Sequence, residues 1–206
     1  MIINYYKKTW HRIILEKLLR KNSSLIKDKI LDIGSKNRRY DNLFSGHITA
    51  IDKNPYNNSN VIHGDITKKL NFKDNGFNNI ICLEVFEYLN ELDQPLSEIH
   101  RLLKPNGHAL ITIPFLYHAH QDNIRYTKEF IESKLNNFSS FEIIKIGNAY
   151  TLIWDIIRKK VFGNKNSSLK KILFIFLLPL LFLIKIFRLE KITDQYYSGL
   201  FIILKK

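Results

Sequence analysis

A single cysteine, Cys82, in 206 residues leaves no partner for an internal disulfide and no second thiolate for a metal cluster. Both exclusions suit a reducing, cytosolic setting. The opening residues, Met1-Ile2-Ile3-Asn4-Tyr5-Tyr6-Lys7-Lys8, lack a charged region followed by an apolar run and a small-residue cleavage site, so no secretion leader is expected. Long hydrophobic runs are also missing. The longest, Ile172 to Ile184, has 13 residues, short of the roughly 18–20 that a bilayer span needs. Internal repeats and low-complexity tracts are absent, and the nearest approach to a linker is Gly163-Asn164-Lys165-Asn166-Ser167-Ser168. Acids are scarce beside bases: 19 Asp and Glu against 32 Lys and Arg, a net charge of +13. That charge has two readings, attraction to an anionic membrane or nucleic acid, or a compositional drift toward Lys, Asn and Ile across the whole chain.

What is present is enough for one domain with some decoration. The hydrophobic fraction of 45% allows a sizeable core. Apolar residues at Trp10, Ile13, Ile14, Leu18 and Leu19 recur at helical spacing until Asn22-Ser23-Ser24. Short β-branched runs follow: Lys29 to Gly34, His47 to Asp52, Val61 to Asp65, Asn79 to Leu83 and Ala109 to Pro114. Between the last two, Leu96 to Leu103 reads as an amphipathic helix with Ile99, Leu102 and Leu103 inward, closed by a turn at Pro105-Asn106-Gly107. Apolar strands without period-2 polarity, alternating with helices, indicate an α/β fold with a mostly parallel central sheet and helices on both faces.

In such a sheet, ligands bind beyond the carboxyl ends of the strands. Three runs reach an acid there: Asp32, Asp52 and Asp65. Carboxylates accept from donors such as ribose hydroxyls, and Asp52 follows Asp32 by 20 residues, the interval at which a second strand's acid reaches a ribose. Gly34 allows close backbone approach. Taken singly, each acid also serves as an ordinary turn or helix cap.

The order of these segments resembles a known family. Ile30-Leu31-Asp32-Ile33-Gly34-Ser35 resembles the first motif of class I S-adenosylmethionine-dependent methyltransferases, and Ala50-Ile51-Asp52-Lys53-Asn54-Pro55 resembles their second-strand segment. His63-Gly64-Asp65-Ile66 is similar to the adenine-contacting segment. Residues Phe77 to Leu89 resemble the fourth strand and its following turn, and Leu96 to Gly107 the helix and turn before the fifth. The best match is the branch called methyltransferase type 11, from about Lys29 to Pro114. The resemblance implies a Rossmann-like methyltransferase fold with an antiparallel C-terminal strand, and S-adenosyl-L-methionine as cofactor. It places Asp32, Gly34 and Ser35 around the methionine end, Asp52 on the ribose, Asp65 and Ile66 beside the adenine, and Leu83 and Glu84 near the sulfonium.

The chain departs from the pattern in its first loop. Where the family usually has further glycines, Gly34 is followed by Ser35-Lys36-Asn37-Arg38-Arg39. Lys36 and Arg38 either crowd the cofactor, as in a degenerate non-catalytic relative, or point to solvent while the backbone keeps its course. Tyr88 replaces the usual His after the fourth strand. The lost glycines also argue against a dinucleotide-binding dehydrogenase, which needs them for pyrophosphate.

Methyl transfer asks the protein to align donor and acceptor and, for a hydroxyl acceptor, to remove a proton. Candidates follow the fifth strand: Tyr117, His118, His120, Asp122, Arg125 and Tyr126. His118 or His120 is suited to proton transfer near neutrality, with Asp122 orienting it or binding substrate. The plainer reading makes Asp122 and Arg125 a helix-start ion pair, with Thr127 capping a helix at Lys128 to Leu135. His118 and His120 lack further ligands for a metal, so none is expected.

Toward the C-terminus, Arg158, Lys159, Lys160, Lys165, Lys170 and Lys171 precede the apolar run, and Lys185, Arg188 and Lys191 follow it. Pro179 interrupts it. Basic flanks attract anionic headgroups, and Trp154 and Phe162 are expected as headgroup-layer anchors; the alternative is a helix pair packed over the sheet. These bases flank apolar residues instead of interleaving with aromatics as a nucleic-acid platform does. Phe141 to Ile146 and Tyr197 to Leu204 read as the closing strands. The expected organisation is therefore a helical segment at 1–28, a methyltransferase core at 29–146, a basic and apolar insertion at 147–195 and a final strand at 196–206. Such a protein is expected to be cytoplasmic and peripheral at the inner membrane face. Its expected acceptor is a lipid-linked or envelope-glycan precursor or an apolar small molecule.

Overall fold

The computed structural model describes residues 5, 7–55, 60–116, 122–162, 167–193 and 195–206. They form two compact units. The larger holds most of a seven-stranded sheet in the order β3-β2-β1-β4-β5-β7-β6. Its strands are β1 (Lys27–Ile33), β2 (Ser45–Asp52), β3 (Ile62–His63), β4 (Phe77–Leu83), β5 (Leu103–Pro114), β6 (Ser140–Ile146) and β7 (Gly199–Lys205). Its helices include α2 (Asp93–Leu102) and α3 (Lys128–Lys134); α1 (Trp10–Asn22) begins within the smaller unit. β1 pairs in parallel with β2 on one side and β4 on the other, and β4 pairs in parallel with β5. Thus β1 to β3 build outward one way and β4 to β5 the other. The reversal lies between the carboxyl ends of β1 and β4, where such sheets bind ligands.

The strands form where expected because Ile30, Leu31, Ile80, Ile81, Leu110 and Ile111 are buried, as a sheet covered on both faces requires. The closing strands run antiparallel: Lys206, the residue after β7, exchanges backbone bonds with the start of β5 (Asn106 N–H to Lys206 O, 3.1 Å; Lys206 N–H to Gly107 O, 3.0 Å). Ser139 likewise donates to Lys205 O at 2.9 Å, at the opposite end of β6 from Ile146, which accepts from Ser198.

Two boundaries differ from the sequence pattern. The pattern predicts a turn at Pro105-Asn106-Gly107 before the fifth strand, but the strand already begins at Leu103. With Lys104, the three residues form an irregularity in its pairing with β4, opposite Asn78, with Asn106 at φ +63°. Lys206 stabilises that bulge through both bonds above, a contact invisible to local pattern. α3 stops one residue earlier than expected, and Thr127 caps it by accepting from Phe130 N–H at 3.2 Å.

The smaller unit comprises the chain up to Lys17 and most of the stretch from Lys145 to Gly199, with helices α4 (Ala149–Phe162) and α5 (Ser167–Ile186). Tyr5, Trp10, Trp154, Phe174, Leu181 and Ile184 make its core. The Trp10 and Trp154 rings meet edge to face at 6.3 Å, and Trp154 meets Phe174 at 6.2 Å. Trp154 is therefore 0% exposed and is no headgroup anchor, which corrects the expectation from sequence: its partner Trp10 lies near the other end of the chain, and no local periodicity announces it. Phe162's side chain lies outside the described residues. Asp155 on α4 accepts from the N–H groups of Trp10 (2.6 Å) and His11 (2.9 Å), so a distant carboxylate caps the start of α1.

Candidate functional site

The carboxyl ends of β1, β2 and β4 bring together six of the residues singled out in the sequence. Asp32 is the penultimate residue of β1, level with Ala50 of β2 and Ile81 of β4. Burial pushes its carboxyl up to about 7, with a neighbouring Ser35 hydroxyl offsetting part of the rise. Just beyond, Gly34 turns at φ +72°, and the N–H groups of Gly34 and Ser35 both donate to Ile51 O (2.8 and 3.0 Å). A Cβ on Gly34 would lie 2.3 Å from Val85 Cγ2. The missing side chain thus makes room for the turn after β4.

The loop that lost its glycines keeps a glycine-like backbone. Lys36 and Arg38 stand at φ +50° and +54°, a conformation that costs an L-residue about 1–2 kcal/mol. Arg38 is drawn aside: it donates to Asp41 (2.7 Å), to Asn60 O (3.1 Å) and to Ile48 O (3.4 Å). Lys36 is exposed, while its backbone N–H donates to Asp52 Oδ2 at 3.0 Å. Asn54 N–H donates to the other oxygen at 2.8 Å. Lys36 is thus exposed, while the half-buried Arg38 side chain is held by Asp41 and by the carbonyls of Asn60 and Ile48.

These bonds also fix the half-buried Asp52 carboxylate at the end of β2. A carboxylate has about four acceptor positions, so two backbone donors leave capacity for the paired hydroxyls of a ribose. These acceptor positions fit the hydroxyls of a ribose. Asp65, further along, is committed differently. Although burial works upward, the Thr67 hydroxyl (2.7 Å) and N–H (3.0 Å) and the Lys53 ammonium (3.1 Å) outweigh it and hold its carboxyl below the usual range. Asp65 therefore shapes the turn, and its neighbour Ile66 is buried.

At the end of β4, Leu83 is level with Thr112 of β5. Glu84 follows at φ +57°; its N–H donates to Thr112 O (3.0 Å), and the Thr112 hydroxyl donates to Glu84 Oε1 (2.9 Å). A non-glycine residue so held marks a position the structure over-determines. Glu87, one short helical turn later, is 0% exposed. Burial, then the charge of Glu84, push its carboxyl up to about 8, against the pull of Arg125. Its carbonyl accepts from Asn123 N–H (2.7 Å) and Ile124 N–H (3.1 Å), which seats the 122–125 segment against this turn. Asp122 there forms an ion pair with Arg125, and Arg125 also donates to Phe115 O at 3.1 Å. His118 and His120 lie outside the described residues. Glu87 and Thr112 received no role from the sequence. The available signal for Glu87 was an acid between Phe86 and Leu89, both of which are buried.

Residues 31–111 match the type 11 family described as a methyltransferase domain. Among solved structures, the chain is similar to phosphoethanolamine N-methyltransferase 2 of Haemonchus contortus in complex with S-adenosyl-L-methionine (18% identity, TM-score 0.60, 95% of this chain and 52% of that one). The same enzyme with phosphomonomethylethanolamine and S-adenosylhomocysteine gives 17% identity and a TM-score of 0.59, with 95% and 52% covered. This chain thus spans about half the length of those relatives. A SAM-dependent methyltransferase of Archaeoglobus fulgidus is covered more fully (14% identity, TM-score 0.58, 98% of this chain and 97% of that one). No curated protein sequence matches the chain.

Proposed function

From the match of residues 31–111 to a methyltransferase domain, we propose that this chain is a class I S-adenosylmethionine-dependent methyltransferase and that it methylates an acceptor held at a membrane surface. The cofactor is S-adenosylmethionine, which when bound supplies a methyl group on a sulfonium, a carbon already activated for in-line displacement. Asp52, aimed by the Lys36 and Asn54 amides, accepts from the ribose hydroxyls. Asp32, Gly34 and Ser35 surround the methionine end, where an ionised Asp32 favours a cationic ligand. Ile66 presents apolar surface to the adenine, with Asp65 fixing its turn. Leu83 and Glu84 form the floor, set by Thr112. Proton removal from a hydroxyl acceptor falls to His118 or His120, with Asp122 held by Arg125 beside them in sequence.

The observation that carries this reading is the left-handed backbone kept at Lys36 and Arg38. A strained loop persists where its surroundings over-determine it, and here it delivers an amide to Asp52. A degenerate binding protein, the rival reading, is separated from it by whether the folded chain binds S-adenosylmethionine and transfers its methyl group. The acceptor is assigned to the lipid-linked or envelope-glycan precursors or apolar small molecules, and the enzyme to the inner membrane face, because the smaller unit exposes apolar side chains beside basic ones. Transfer of a labelled methyl group from S-adenosylmethionine into a solvent-extracted membrane fraction tests the assignment. Label in extracted lipid supports it; label only in added RNA or DNA, or in nothing, overturns it.

A further inference from the structure

The outer face of α5 is inverted relative to a helix that faces water. Between residues 172 and 187 the exposed positions with described side chains are Ile172, Ile175, Phe176, Pro179, Phe182, Leu183, Ile186 and Phe187, every one apolar. Their spacing follows one side of a 3.6-residue helix. Phe174, Leu181 and Ile184, on the opposite side, fill the core with Trp154 and Trp10. The helix is thus apolar on both sides, with one side committed to packing and the other bare. Phe176 is 74% exposed, Phe182 66% and Phe187 65%. α4 repeats the pattern on a smaller scale: Tyr150, Ile153 and Ile156 are exposed, followed by exposed Lys159 and Lys160. Arg188 and Lys191, also exposed, follow α5.

We infer that this stripe is an in-plane docking surface for an anionic lipid bilayer, an inference that rests on the membrane-surface reading above and names the residues that carry it. Apolar side chains enter the acyl boundary while flanking Lys and Arg meet anionic headgroups, the arrangement of an interfacial helix. The helix lies in the interface and does not cross it: no helix among the described residues is long and apolar enough to span a membrane. Pro179, on the same stripe, has no N–H to give the Ile175 carbonyl. That carbonyl needs hydration, which a headgroup layer supplies and a hydrocarbon interior does not. A second copy of the chain would also cover apolar surface, but the net charge of +13 opposes self-association and favours an anionic partner.

The test is flotation of the full chain with vesicles of phosphatidylcholine alone or mixed equally with phosphatidylglycerol. The wild type is expected to float with the mixed vesicles, and less so as salt rises. The double variant Phe176→Asp/Phe182→Asp removes two exposed rings without touching the core, and its partition is expected to fall on the order of 100-fold. Lys159→Gln/Lys160→Gln, which leaves the stripe intact, is expected to lower partition by roughly 30-fold on mixed vesicles only. Absence of wild-type flotation, or undiminished flotation of the Phe double variant, overturns the inference. So does a wild-type dimer in sedimentation that the Phe variant dissolves, since the stripe is then a contact between copies. Calorimetric binding of S-adenosylmethionine, expected unchanged in both variants, keeps the two readings apart. Flotation without cofactor binding sinks the methyltransferase reading and leaves the docking surface standing.

Discussion

Replacing Glu87 by Gln should change how stability depends on pH. The Glu87 carboxyl is fully buried and titrates near 8 in the native protein, against an ordinary value of 4.5. Between those values the native state keeps a proton that the unfolded chain has released. Stability from this group is therefore complete below about pH 4.5 and is lost as pH rises toward 8. At about 1.4 kcal/mol per unit, the loss accumulated between pH 5 and pH 9 comes to about 4 kcal/mol. A glutamine side chain has the same shape and no proton to lose, so the pH-independent packing change in Glu87→Gln cancels when two pH values are compared. Urea unfolding followed by far-ultraviolet circular dichroism reads the difference. Relative to the wild type, the Glu87→Gln variant should gain about 4 kcal/mol on going from pH 5 to pH 9, a midpoint shift of roughly 1.5 M. Parallel curves for the two proteins across that range would refute the claim that Glu87 is held protonated.

Three other substitutions probe the cofactor edge. Asp32, pushed up to about 7 by burial, should bind a cationic ligand better once ionised. Affinity for S-adenosylmethionine should rise about tenfold between pH 5.5 and 8, and the Asp32→Asn variant should show no such rise in calorimetry. Gly34→Ala places a methyl 2.3 Å from Val85 Cγ2 at φ +72°. It should lose about 2–4 kcal/mol of stability in urea melts, partly restored by adding Val85→Ala; no rescue would mean that the backbone angle alone is at fault. Lys36→Gly should gain about 0.5–1 kcal/mol by relieving the left-handed strain and leave cofactor affinity intact, since the amide it donates to Asp52 remains.

How much of this was legible in the sequence depended on where the information resides. β1, β2 and β4 announce themselves because residues such as Ile30, Ile51 and Ile80 must be apolar to be buried on both faces. Asp32 and Asp52 could be placed by counting along the chain. The early start of β5 could not, because it depends on Lys206 pairing with Asn106 and Gly107. Nor could the course of the Lys36–Arg38 loop, since neither residue type signals positive φ, and the side chain of Arg38 is drawn away by Asn60, 22 positions on. Trp154 misled for a similar reason: an aromatic beside lysines suits a headgroup layer until Trp10 and Phe174 close around it. Glu87 was passed over because the pattern of an acid among apolar neighbours does not show whether it will be buried, and the segment from Asn123 to Arg125 that seats against its turn is remote in sequence.

The most direct measurement is calorimetric titration of the folded chain with S-adenosylmethionine, wild type beside Asp52→Asn. Asn keeps the shape of Asp52 but replaces one acceptor oxygen by a donor and removes the charge. Saturable binding by the wild type, weakened at least about tenfold in the variant, is the predicted result, because charge-assisted bonds to two hydroxyls contribute roughly 1.5–3 kcal/mol each. Well-folded wild type that binds no S-adenosylmethionine, or an Asn variant that binds it equally well, would contradict the central claim that the carboxyl edge of β1 and β2 holds this cofactor.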